Sequence, residues 1–177
     1  SGTACEFLCG FCEMIRNLAV DRLHIIGDIF DRGPHADYII DELMKYDRID
    51  IQWGNHDIAW MGASLGNLTC IASVIRIGIG YNNFDCLEVG YGINLRPLSM
   101  FASETYKDDD CLDFYPHVLD ESKFDRVSVS LAAKMHKAIT VIQLKLEGQL
   151  YERHPEYGMS DRNLLSINQR QLSSPTV

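Results

Sequence analysis

The chain has 177 residues, 46% apolar and 10% aromatic, which is material for one hydrophobic core and excludes both a disordered segment and a tandem array. Its 16 lysines and arginines stand against 25 aspartates and glutamates, a net charge of −9 that excludes a basic nucleic-acid module. No run approaches the ~18 consecutive apolar residues of a membrane span, and the opening SGTACEFLCG lacks the basic start of a signal peptide. Cysteines 5, 9, 12, 70, 86 and 111, with no export signal, read as reduced thiols and place the chain in the cytoplasm.

From Glu6 to Ala19 the apolar residues Phe7, Leu8, Phe11, Cys12, Ile15, Leu18 and Ala19 recur at the spacing of an amphipathic helix. The run Arg22-Leu23-His24-Ile25-Ile26, ending at Gly27-Asp28, reads as a buried parallel strand. Residues 36–46 return to helical spacing after Arg32-Gly33-Pro34, and 49–53 read as a second strand stopped by Gly54. This helix, strand, helix, strand order implies a parallel sheet with crossover helices and a binding site in the loops after the strands. Farther on, 58–79 reads as one apolar helical stretch, 81–100 as loop, Lys107-Asp108-Asp109-Asp110 as a solvated loop rather than a metal cage, and 127–150 as a long helix. The polar tail after Ser166 reads as frayed. No linker divides the chain, so 1–177 is taken as one partial domain: 6–66 carries the motif loops and 67–177 forms a helical and loop insertion.

Two strings carry the chemistry: Gly27-Asp28-Ile29-Phe30-Asp31-Arg32-Gly33 and Gly54-Asn55-His56-Asp57. G-D-x-x-D-R-G arises by chance in roughly one in ten thousand chains of this length, and G-N-H-D in roughly one in a thousand. A carboxylate, an amide oxygen and an imidazole on strand-end loops suit Mn²⁺, iron or Zn²⁺, and a shared carboxylate can hold two metals. Arg32 offers a planar fork for phosphate oxygens. His56, oriented by a carboxylate such as Asp31, can protonate a leaving alkoxide. Glycines 27, 33 and 54 let the backbone turn sharply against such a site. Singly, each residue has a bland reading: Asp28 and Asn55 as turn residues, Asp31-Arg32 as a surface ion pair, His56 as a loop histidine.

These blocks resemble those of the calcineurin-like metallophosphoesterases, GDx(x)DRG and GNH(D/E). The longer strings LHIIGDIFDRGPHADYIID, DIQWGNHDIAWMGA, YGINLRPL and MHKAITVIQLKLEGQL are similar to the bacterial class III fructose-1,6-bisphosphatases over essentially the whole chain. The resemblance implies an α/β fold of the calcineurin-like βαβ sandwich type. It also implies hydrolysis of the 1-phosphate of fructose 1,6-bisphosphate in gluconeogenesis, with manganese as activator. By the same resemblance, Asp28 bridges two metals, Asn55 binds the second, His56 is the proton donor paired with Asp31, and Arg32 clamps phosphate.

The family's upstream D-x-H and its G-H-x-H block are both missing, and His117, His136 and His154 do not match that block. The expectation is an incomplete sandwich, without the first strand and the histidine-bearing C-terminal strands. Such a fragment would have a half-built metal site, little activity alone and an uncovered apolar surface prone to homo-oligomerisation. Three other readings compete. Cys5-x₃-Cys9-x₂-Cys12 has the spacing of an iron–sulfur motif but also forms one stripe of a core helix. A protein Ser/Thr phosphatase or dinucleotide polyphosphate hydrolase would use the same blocks, and a truncated chain could be non-catalytic. Trp53, Trp60, Tyr81 and Tyr91 either line a sugar pocket or pack in the core.

Overall fold

The structure, a computed structural model, describes residues 2–19, 21–117 and 127–159. The tail after Ser166 lies outside the described residues. Helix α1 (Gly2–Ala19) is followed by strand β1 (Leu23–Ile25), helix α2 (Ala36–Leu43), strand β2 (Ile49–Ile51), and helices α3 (Asn55–Ser64), α4 (Leu68–Gly80), α5 (Arg96–Thr105) and α6 (Val129–Arg153). A π-helical turn (Cys86–Gly90) and short 3₁₀ turns (Leu112–Phe114, Pro155–Tyr157) complete the described elements.

The expected alternation is present. β1 and β2 pair in parallel, Leu23 opposite Ile49 and Ile25 opposite Ile51, with α2 as the crossover between them. His24 Nδ1 lies 2.9 Å from Asp50 Oδ2 across the pair. The described sheet has these two strands alone, so the chain is a mostly helical α/β structure. β1 is not the buried strand expected: Leu23 and Ile25 are only half-buried, His24 is exposed, and Ile26 is 81% exposed. Three residues paired on one side cannot be covered by their own ladder.

Two further expectations are corrected in the helical part. The stretch 58–79 is two helices, because Gly66 at φ +83° turns the chain and Asn67 caps α4 by accepting from Cys70 N at 3.0 Å. The supposed loop at 81–100 contains the 86–90 turn and the start of α5. Pro97, read as a breaker, sits in the first turn of α5, where its missing N–H costs nothing. The long helix stands as expected: Ser128 caps α6 by accepting from Leu131 N.

The core lies between α4, α5, α6 and the 86–90 turn, built from Val74, Ile79, Phe84, Leu87, Leu95, Ala102, Met135 and Ile139. Small residues let these elements close on one another. A Cβ on Gly78 would meet Leu87 Cδ1 at 2.7 Å, and Ala132, Ala133 and Ala138 are fully buried on α6. α1 forms the predicted amphipathic helix but does not join this core: Phe7, Leu8, Phe11, Ile15 and Leu18 are all exposed. Among the described residues no helix is long and apolar enough to cross a membrane.

Candidate active site

The two motif loops leave the ends of β1 and β2 side by side. After β1 the backbone passes through positive φ twice, at Gly27 (+94°) and Asp28 (+53°). Gly27 cannot be replaced, since a Cβ there would lie 2.5 Å from Gln52 O. A non-glycine in the left-handed region is strained, and Asp57 holds Asp28 in it. Asp57 is 1% exposed at the third position of α3, and its carboxylate accepts from Asp28 N (2.6 Å), Gly54 N (2.9 Å) and Phe30 N (3.1 Å). One buried charge thus ties both loops together, and the N-terminus of α3 favours its negative sign. Asp57 was not singled out by role in the sequence, although an acid three residues after a helix-starting glycine is a capping signal.

All five predicted residues converge here. Asp28 Oδ1 accepts from His56 N at 3.3 Å, and a Cβ on Gly54 would lie 2.0 Å from that oxygen, so only glycine fits. Asn55 opens α3 between Gly54 and His56 and is exposed. Asp31 Oδ1 lies 3.0 Å from His56 Nε2 and 3.3 Å from Arg32 Nε. That oxygen is buried with no aligned hydrogen bond, so His56 and Arg32 hold it by charge and proximity. Gly33 is different from its two companions: nothing lies within 4 Å of a Cβ there, and the site does not need a glycine at that position.

The aromatics divide. Phe30 stacks on Trp60 at 4.6 Å and Trp60 meets Tyr91 at 4.7 Å, which braces the first loop from behind. With Trp53, Met61 and Ile75 they line an apolar cavity of about 530 Å³, unlike a sugar pocket in its lack of polar partners. Burial pushes the Tyr91 hydroxyl up to about 12. Tyr81 instead lies under Arg32, whose Cζ is 5.5 Å from the ring centre. Asn83 Nδ2 donates to Arg32 O at 3.1 Å and approaches Gly33 O at 3.4 Å. Nothing in the sequence pattern pointed to Asn83, because its role depends on a contact spanning 51 residues.

The remaining candidates stay apart. His136 pairs with Phe114 O at 3.0 Å, and burial holds its imidazole below the ordinary value. His154 pairs with Glu156 at 2.8 Å, and the His117 ring packs 5.6 Å from Tyr81. In the acidic loop Asp109 pairs with Lys137, which lowers its carboxyl. Cys5, Cys9 and Cys12 are free and exposed on α1, which removes the core-stripe reading. Among the described residues no three His, Cys, Asp or Glu side chains gather as a metal cage. Asp28 and Asn55 are oxygen donors of the right kind for a hard cation, but two are fewer than the three protein ligands a metal normally takes. By themselves they do not complete a metal centre.

In class this is an α/β chain with a carboxylate, imidazole and guanidinium cluster at the ends of parallel strands. Residues 1–173 match the family described as Firmicute fructose-1,6-bisphosphatase. The chain is 52% identical over 168 residues to a class 3 fructose-1,6-bisphosphatase of Porphyromonas gingivalis, covering 94% of this chain and 26% of that protein. It is 54% identical over 166 residues to the class 3 enzyme of Clostridioides difficile (94% and 25%) and 54% identical over 160 residues to one of Clostridium beijerinckii (90% and 24%). The chain belongs to the class 3, Firmicute-type fructose-1,6-bisphosphatase family, and it spans about a quarter of the length of these relatives. No solved structure matches it.

Proposed function

We propose that these residues are the phosphate-binding and proton-donating part of a fructose-1,6-bisphosphate 1-phosphohydrolase of the calcineurin-like type, acting in cytoplasmic gluconeogenesis. The observation that carries this reading is the convergence of Asp28, Asp31, Arg32, Asn55 and His56 on one mouth formed by two loops that a single buried carboxylate joins. The relatives' names supply the substrate.

Arg32 presents its guanidinium to a phosphate oxyanion, where a charge-assisted planar contact is strongest. His56, with its Nε2 side against Asp31, carries a proton to the leaving sugar oxygen. Asp31 favours the protonated imidazole needed for that step by standing 3.0 Å away. Asp28 and Asn55 offer their oxygens to a Mn²⁺ pair whose other ligands lie outside this chain, and that pair, when bound, supplies Lewis acidity at the phosphoryl group. On this reading the 177 residues alone hold part of a site and turn over little or no substrate.

The test is phosphate release from fructose 1,6-bisphosphate, with and without Mn²⁺, beside p-nitrophenyl phosphate, by this chain and by the full-length protein carrying it. Manganese-dependent release by the full-length protein, selective for the sugar bisphosphate, is the expected result. Equal rates on both esters would point to a less selective phosphatase, and no release by the full-length protein would refute the proposal.

A further inference from the structure

An arginine on an exposed loop binds an oxyanion well only when its flexible stem is held and its fork is aimed. The Arg32 side chain is 58% exposed, and its loop belongs to no helix or strand. Three contacts restrain it: Asp31 at Nε, the Tyr81 ring against the guanidinium, and the Asn83 amide on its main-chain carbonyl. Asp31 precedes it in the motif, whereas Tyr81 and Asn83 come from the turn that closes α4.

That turn is rigidly made. Tyr81 N donates to Ile77 O at 3.0 Å and Asn83 N to Gly78 O at 2.8 Å, while Asn82 takes φ +58° between them. From the other side His117 N donates to Gly80 O at 2.7 Å. Gly78, Ile79 and Gly80 are buried in the helical core. The turn therefore transmits the stiffness of the core to a loop that has little of its own.

We infer that Tyr81 and Asn83 are positioning residues that hold Arg32 toward the phosphate of a phosphomonoester substrate. This rests on the phosphatase reading of Arg32. With Nε turned to Asp31 and one guanidinium face against Tyr81, the terminal nitrogens are left for an oxyanion, and no second carboxylate among the described residues pairs with Arg32. Asn83 fixes the backbone from which the side chain springs. Both residues act through Arg32 and neither reaches the reacting atoms.

The experiment has two arms. In the full-length protein, Tyr81→Leu is expected to raise KM for fructose 1,6-bisphosphate about fivefold with kcat changed less than about threefold, and Tyr81→Phe, which keeps the ring, to stay within about twofold of the parent. In an Arg32→Ala background, Tyr81→Leu should add nothing. An equal loss with and without Arg32, or Tyr81→Phe as damaging as Tyr81→Leu, would show a structural residue and overturn the assignment. The second arm uses the 177-residue chain and needs no activity: Asn83→Ala should speed amide exchange in 31–33 and leave α4 and α6 unchanged. Unchanged exchange in 31–33 overturns the restraint itself, whereas an inactive full-length parent with faster exchange would sink the phosphatase reading alone.

Discussion

Between α4 and α6 the chain is held by contact: Ile79 is 0% exposed, Leu87 and Met135 1%, and alanines and glycines let the backbones close on one another. Around β1, α2 and β2 the apolar side chains Ile26, Tyr38, Ile39, Met44 and Trp53 are all exposed, and of α2 only Ala36 is buried. The candidate site lies between these regions. Its loops are fixed not by a deep core but by polar ties, Asp57 to three backbone amides and Asn83 to the Arg32 carbonyl. A catalytic loop can thus be ordered in a thinly packed layer, provided each tie is buried or anchored in the packed half.

This contrast can be broken from either side. The largest expected stability loss comes from the packed half: Ile79→Ala should cost about 2–5 kcal/mol in urea unfolding. Asp57→Ala should cost about 2–3 kcal/mol, since it strands buried donors that were meeting a charge, and amide exchange at Asp28, Phe30 and Gly54 should rise together. If those amides rose separately, the loops would not be one unit. Gly54→Ala should cost less in stability yet strongly depress turnover in the full-length protein by pushing Asp28 Oδ1 aside, while Gly33→Ala stays near the parent in both.

Smaller effects sharpen the comparison. Burial holds His136 below 6.5, so the folded chain favours the neutral ring and the unfolded chain takes up a proton first as pH falls. Stability should therefore be fully present above about pH 6.5 and decline as pH drops through the folded value, and His136→Gln should flatten that part of a thermal-unfolding pH series. Smallest of all, Phe11→Ala on α1 should change stability by no more than about 0.5 kcal/mol, because its ring is already 47% exposed.

What the sequence made legible was local. The period of residues 6–19, the strand-stopping glycines and the two rare strings placed α1, β1, α2, β2 and the five site residues before any coordinate. Burial was not legible: the stripe Phe7, Phe11, Ile15 reads like a core helix because periodicity reports amphipathicity and not the presence of a partner. Nor were ties across the chain. Asp57 could be guessed from its capping position but not its hold on Asp28 N and Phe30 N, and Tyr81 and Asn83 depend on how the end of α4 meets the first loop. Pro97 and the glycines of 81–100 suggested loop because first-turn prolines and close-packed glycines look like breakers when only neighbours in sequence are known.

The central claim is that the two joined loops carry the chemistry of the whole protein, and turnover of fructose 1,6-bisphosphate by full-length Asp28→Asn and His56→Ala tests it most directly. The account expects each variant to keep the parent's unfolding midpoint within about 1 kcal/mol, with kcat for His56→Ala reduced about 10²–10⁴-fold and Asp28→Asn failing to be restored by ordinary Mn²⁺ concentrations. Either variant turning over at the parent's rate would contradict it.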